Sequence, residues 1–182
     1  MRVIAGSAKS LHLYSVKGFH VRPTADRIKE SLFSSVGRRV VDSRFLDLYS
    51  GTGAIGIEAL SRGAEFAVFV DNSKECVKII EKNLDHTKLR DRGRIINGNA
   101  ISTINDLSGG EIFDIIFLDP PYNKNLIFET LESITENGLI SENGLVIAEY
   151  GPFEDIVCPK GLEIINEKDY KTTRMVFYTT AA

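Results

Sequence analysis

The 182 residues, 43% of them hydrophobic, are enough for one domain with a full core. No apolar run reaches the roughly 18 residues of a membrane span, and the start lacks the pattern of a secretion signal, so a cytoplasmic protein is expected. The net charge of −3 argues against a general nucleic-acid binder, yet the charge is uneven: residues 1–44 carry nine Lys or Arg against three Asp or Glu, and the remainder 13 against 22. A basic front end on an acidic body suits an arm that steers phosphates.

In chain order, Val3 to Gly6 and Leu11 to Tyr14 read as short strands around the turn-prone residues 6–10, giving a β-hairpin outside the main sheet. Thr24 is placed to cap a helix over residues 26–36, with Ile28, Leu32 and Val36 at helical spacing and Gly37 closing it. Arg38 and Arg39 form a basic connector. A strand from Phe45 then runs into Gly51, Gly53 and Gly56, which match G-x-G-x-x-G, and a helix follows to about Arg62. Asp71 lies 20 positions after Gly51, at the end of strand 66–70, where a ribose-binding acid belongs. This pattern fits a nicotinamide enzyme or a methyltransferase. Asp47 separates them, because a carboxylate beside the glycine loop repels a pyrophosphate and attracts the amino and sulfonium groups of S-adenosylmethionine.

Asn72 or Ser73 starts a helix to about His86 with Val77, Ile80 and Leu84 buried, and residues 94–100 read as a third strand. Asn99, at that strand's end, can donate to and accept from an adenine edge, or serve as a turn residue. After a helix over 101–107, Phe113 to Leu118 form a buried strand that stops at Asp119-Pro120-Pro121-Tyr122, since neither proline can donate to a ladder. This stiff loop presents two acceptors and a ring, which suits the exocyclic amine of a nucleobase: the acceptors take its protons and aim the lone pair while the ring fixes the base plane. A helix over 126–136 buries Ile127, Leu131 and Ile134; strand 145–150 follows, then a closing antiparallel pair, 162–165 and 174–179, joined by a polar stretch over 166–173. Strands alternating with helices imply a largely parallel sheet, with ligands beyond its strand ends at Asp47, Asp71, Asn99 and Asp119. Cys76 and Cys158, and His12, His20 and His86, are spaced as in no metal site, so no metal is expected.

These blocks resemble the RsmD family of S-adenosylmethionine-dependent RNA methyltransferases, which act on guanine N2 in small-subunit (16S) ribosomal RNA. The resemblance rests on Arg2 to Gly6, on Arg22-Pro23-Thr24 with Asp26, Arg27 and Glu30, on residues 46–64, and on residues 117–122. It implies a Rossmann-like class I methyltransferase sandwich: an α/β fold with a seven-stranded, mostly parallel sheet, an antiparallel C-terminal edge and an N-terminal β-hairpin extension. Residues 1–44 would form the basic extension and 45–182 the methyltransferase domain. Asp119, Pro120, Pro121 and Tyr122 would be catalytic. Asp47, Tyr49, Gly51, Gly53, Asp71, Asn72, Asn99 and Ala100 would hold S-adenosylmethionine. Lys9, Lys17, Arg22, Thr24, Arg27, Arg38 and Arg39 would contact RNA. The partner implied is ribosomal RNA or its assembling particle; the sequence leaves the oligomeric state open, with a monomer favoured. Two departures stand out: residues 7–12 keep one basic residue, Lys9, where the family usually has several, and Tyr122 stands where the family often has Phe. Tyr at that place is common among adenine N6 enzymes, so an amino methyltransferase of DNA or RNA adenine is the alternative; an NAD(P)-dependent oxidoreductase is more remote.

Overall fold

The computed structural model describes residues 1–16, 23–122 and 125–181, with Pro23 and Thr24 described through their backbone alone. Lys17, His20 and Arg22 therefore lie outside the described residues, as does the side chain of Thr24. Five strands run parallel: β1 (Arg44–Leu48), β2 (Phe66–Asp71), β3 (Gly93–Asn97), β4 (Phe113–Leu118) and β5 (Ile140–Tyr150). They are followed by an antiparallel pair, β6 (Leu162–Tyr170) and β7 (Thr173–Thr180), in the sheet order β3-β2-β1-β4-β5-β7-β6. This is the Rossmann-like sandwich expected, with its antiparallel C-terminal edge.

The central strands are apolar on both faces because both faces are covered. Leu46, Leu48, Val68 and Ile116 pack with Ile104 of α4 (Ala100–Leu107) and with Leu131 and Ile134 of α5 (Leu126–Glu136). On the other face Phe45, Phe69, Ile115 and Phe117 meet α1 (Pro23–Val36), α2 (Ala54–Ser61) and α3 (Lys74–Thr87) through Leu32, Phe33, Ile57, Leu60, Ile80 and Leu84. Gly56 sets the α2 to sheet distance, since a Cβ there would stand 2.3 Å from the Phe69 ring.

Several expectations change in detail. Residues 1–16 fold back outside the main sheet, but with one isolated antiparallel bridge, Arg2 to His12, in place of two strands. Their backbone is held by α2. The buried Glu58 carboxylate accepts from Ile4 N (2.8 Å) and Ala5 N (3.0 Å), and the Ser61 hydroxyl donates to Ala5 O (2.6 Å) and accepts from Ala8 N (2.9 Å). Gly6, at φ +84°, passes so close that a Cβ would lie 1.7 Å from Ser61 O. Helix α1 begins at Pro23, so Thr24 falls inside its first turn and is not the cap; proline's fixed φ and missing N–H suit that first position. Arg38 and Arg39 belong to a 3-10 turn, Gly37–Val40. Strand β3 ends at Asn97, short of Ala100, and β5 begins five residues before Leu145. The polar stretch 166–173 is mostly strand: β6 continues to Tyr170, its outer edge solvated while β7 supplies the ladder. No described helix is long and apolar enough to cross a membrane.

Candidate active site

The carboxyl ends of β1 and β4 open into a cavity of about 510 Å³. Register brings the reactive groups together: Leu48 pairs with Leu118, and Leu118 with Ala148, so the residues that follow, Tyr49, Asp119 and Glu149, stand at one level on three adjacent strands. The cavity's second wall comes from the front of the chain, through Leu13, Tyr14, Ile28 and Lys29.

Asp47, 1% exposed, faces this cavity and accepts from Gly56 N (2.9 Å) in the first turn of α2. Burial is the main force pushing its carboxyl up to about 8; the nearby Asp71 adds to this, and the Gly56 N–H opposes it. Asp119 lies on the solvent-facing side of the cavity but is crowded by protein. Desolvation first, then the charges of Glu149, Asp47 and Glu154, hold its carboxyl well above the usual range. Glu149 is also raised by burial, opposed by the hydrogen bond from the Thr173 hydroxyl (Oγ1 to Oε1, 2.9 Å) and by the neighbouring Tyr122. The three acidic neighbours act in the same direction where solvent reaches the carboxyl. Tyr122 projects from the loop, 42% exposed, and burial followed by Glu149 raises its phenol. Pro120 is buried and Pro121 exposed.

The turn between β1 and α2 is built by its residue types. Gly51 and Gly53 take φ of +55° and +76°, which glycine adopts without penalty, and Tyr49 also sits at positive φ, its hydroxyl bonded to Thr130 Oγ1 (2.8 Å). Ser50 ties the loop to the sheet: its hydroxyl lies 2.6 Å from Asp47 O and 2.9 Å from Val70 N. Asp71 accepts from Gly51 N (2.8 Å) and Ser73 N (2.8 Å), so the acid expected at the ribose also braces the glycine loop. Asn99 caps α4, its Oδ1 accepting from Ile101 N (3.0 Å) and Ser102 N (3.3 Å). Asp71, Asn72, Asn99 and Ala100 stand at the ends of β2 and β3, beside the cavity rather than among the residues that line it; Asn72 and Asn99 are exposed and Ala100 is buried. Tyr49, Gly51, Asp47, Asp119 and Tyr122 do line it.

Four residues were not anticipated. Glu149 joins the site through β4–β5 register. Lys29, 1% exposed, lines the cavity while its ammonium pairs with Glu58 (3.1 Å) and donates to Arg2 O (2.6 Å); burial lowers its pKa, and Glu58 opposes that. Asn83 bonds both the backbone of Tyr14 and Thr52 O, clamping the front segment to the glycine loop. Signals existed for Lys29 and Glu58, since each occupies the inward face of a helix, but their burial depends on each other. Of the expected RNA-contact residues, Lys9, Arg27, Arg38 and Arg39 are exposed, and Arg39 donates to Asn143 O (2.8 Å). The thiols of Cys76 and Cys158 are free, and among the described residues no group of three or more His, Cys, Asp or Glu could hold a metal ion.

Chemically, the cavity calls for a cation. Asp47, Asp119 and Glu149 share it, neither Asp47 nor Asp119 has an ion pair among the described residues, and burial raises all three carboxyls, Asp47 and Asp119 being raised further by neighbouring acids. Apolar Leu13, Ile55, Phe117 and Met175 give it surfaces for a flat ring. A sulfonium with an adenosyl group fits this donor set.

The family model described as Conserved hypothetical protein 95 matches residues 1–179. The chain is 31% identical to Ribosomal RNA small subunit methyltransferase D of Haemophilus influenzae, covering 98% of this chain and 91% of that one. It is 33% identical to the protein of the same name from Escherichia coli, over 82% of this chain and 74% of that one. The solved structure of yhhF from Escherichia coli overlays at a TM-score of 0.88, with 30% identity and coverage of 99% and 97%. A more distant solved chain, complexed with SAH, overlays at 0.68 with 17% identity over 88% of this chain and 50% of that one, a likeness of fold.

Proposed function

The chain belongs to the RsmD family, the group behind the Conserved hypothetical protein 95 model, and from that membership and the acid-walled cavity we propose that it transfers a methyl group from S-adenosylmethionine to the exocyclic N2 amine of a guanine in small-subunit (16S) ribosomal RNA. One observation carries the reading. A single concave space joins Asp47, an acid for a cationic donor, to Asp119 and Tyr122, an acid and a ring for an amine.

When bound, S-adenosylmethionine supplies a methyl group made electrophilic by a positively charged sulfur. Gly51 and Gly53 let the backbone approach its methionine end, with Tyr49 beside them; Asp47 faces the positive charge. Asp71 accepts from the ribose hydroxyls with Asn72 next to it, and Asn99 with Ala100 meets the adenine. The target guanine leaves its stack to reach the loop. Tyr122 stacks on its face, while the Asp119 carboxylate and the Pro120 carbonyl accept the two N2 protons and Pro121 keeps the loop stiff. The amine is neutral and its proton becomes acidic only as the N–C bond forms, so Asp119 aligns the nitrogen first and takes up developing positive charge later. A carboxyl raised above its ordinary pKa is the better acceptor for that proton.

The basic residues of 1–44 serve as an RNA-contacting extension to a methyltransferase domain at 45–182. Lys9, Arg27, Arg38 and Arg39, with Lys17, Arg22 and Thr24, hold phosphates without reading sequence. The substrate is free ribosomal RNA or its assembling particle, and the enzyme acts as a cytoplasmic monomer.

The test is single-turnover methylation with cofactor and RNA saturating. Asp119→Ala should lower the rate at least ~100-fold, the scale for removing a positioned acid–base or electrostatic group, and leave cofactor affinity nearly unaltered. A near-normal rate, or a product other than N2-methylguanine, refutes the reading.

A further inference from the structure

The proposed reaction gives Asp119 and Pro120 a role but leaves Glu149 without one, although it faces the same cavity from the adjacent strand. Parallel pairing of Leu118 with Ala148 sets Asp119 and Glu149 side by side, and their charges interact strongly enough to raise Asp119. Glu149 is held in place by β7. Thr173, itself 2% exposed, puts its hydroxyl 2.9 Å from Glu149 Oε1 and 2.8 Å from Tyr150 O. A carboxylate offers about four acceptor positions, so one hydroxyl donor leaves it able to accept more.

A guanine whose N2 amine lies against Asp119 carries its N1–H next to that amine on the same edge. Adenine, presenting its N6 amine in the same place, has there an unprotonated N1 with a lone pair. A second carboxylate beside Asp119 thus separates the two bases: it accepts a hydrogen bond from one and repels the other. Resting on the guanine N2 reading above, we propose that Glu149 is the base-reading residue, its carboxylate accepting the guanine N1–H while Asp119 accepts from N2.

This explains why Tyr122, shared in kind with adenine N6 enzymes, need not mark an adenine substrate: the ring supplies stacking, and identity is read one strand away. Burial raises the Glu149 carboxyl and the Thr173 hydroxyl opposes that rise, and a carbonyl oxygen remains to accept from N1–H in either protonation state.

The experiment compares N2 methylation of two ribosomal RNAs carrying guanine or 2-aminopurine at the mapped position. 2-Aminopurine keeps the N2 amine but has a bare N1. Wild-type enzyme should favour guanine in kcat/KM by about 10- to 100-fold, the range for one hydrogen bond to a charged group. Glu149→Gln, whose amide can accept from or donate to N1, should bring the ratio to within about threefold. Both RNAs meet the same preparation, so any loss of folded protein cancels in the ratio. A wild type without preference, or a Glu149→Gln ratio equal to that of wild type, overturns the proposal while leaving guanine N2 methylation standing. If wild-type enzyme methylates neither RNA at N2, the reading beneath it falls and this proposal falls with it.

Discussion

Asp47 offers a test that needs neither RNA nor turnover. Its side chain is 1% exposed, and burial raises its carboxyl from 3.8 to about 8. The folded protein therefore holds that proton more tightly than the unfolded chain does. Stability from this group is fully present below about pH 4 and is lost as pH rises toward 8. At about 1.4 kcal/mol per tenfold, the full rise corresponds to on the order of 5 kcal/mol. Relaxation and water entry on ionisation reduce this, and about 2 kcal/mol is a conservative expectation. For a chain of this size each kcal/mol moves Tm by about 2–4 °C, so the effect is roughly 4–8 °C. Asp47→Asn removes the ionisation and keeps an oxygen to accept from Gly56 N. Thermal unfolding without cofactor, between pH 5 and pH 8, should show the wild-type Tm falling by that amount more than the variant's. The variant keeps the slope that Glu149 contributes and that part of Asp119's which does not come from the Asp47 charge, since both are raised as well. Parallel curves for the two proteins would refute the reasoning: the carboxylate would then be adequately solvated or paired, and the cavity would not call for a cation.

Glu58→Gln leaves Lys29 buried without its counter-charge and weakens the acceptor that holds Ile4 N and Ala5 N, so urea unfolding should report a loss of about 3 kcal/mol, the low end for breaking a buried pair; a loss below about 1 kcal/mol would mean that Lys29 reaches water. Asp71→Ala should weaken S-adenosylmethionine binding by about 1–3 kcal/mol in calorimetry, the cost of lost hydrogen bonds to a charged acceptor, and unchanged affinity would remove Asp71 from the cofactor site.

The strand-and-helix order and the positions of Asp47, Asp71, Asn99 and Asp119 were legible because local chemistry sets them. Apolar β-branched runs need two covered faces, Gly51 and Gly53 take backbone angles other residues avoid, and Pro120 and Pro121 end a ladder. Asn99 showed two uses in sequence, and the structure assigns its Oδ1 to capping α4, which a local pattern could not rank against ligand contact. The polar run at 166–173 looked like a loop because a strand at the sheet's edge needs no apolar face of its own when β7 supplies its hydrogen bonds. Residues 1–16 could not be placed: their contacts with Glu58, Ser61 and Asn83 span 53 to 69 positions of chain, and no local spacing encodes such a distance. Glu149 was invisible for the same reason. Alone it is one acid near the end of an apolar strand; only the pairing of Leu118 with Ala148 brings it beside Asp119, and register between strands is decided by the packing of the whole sheet.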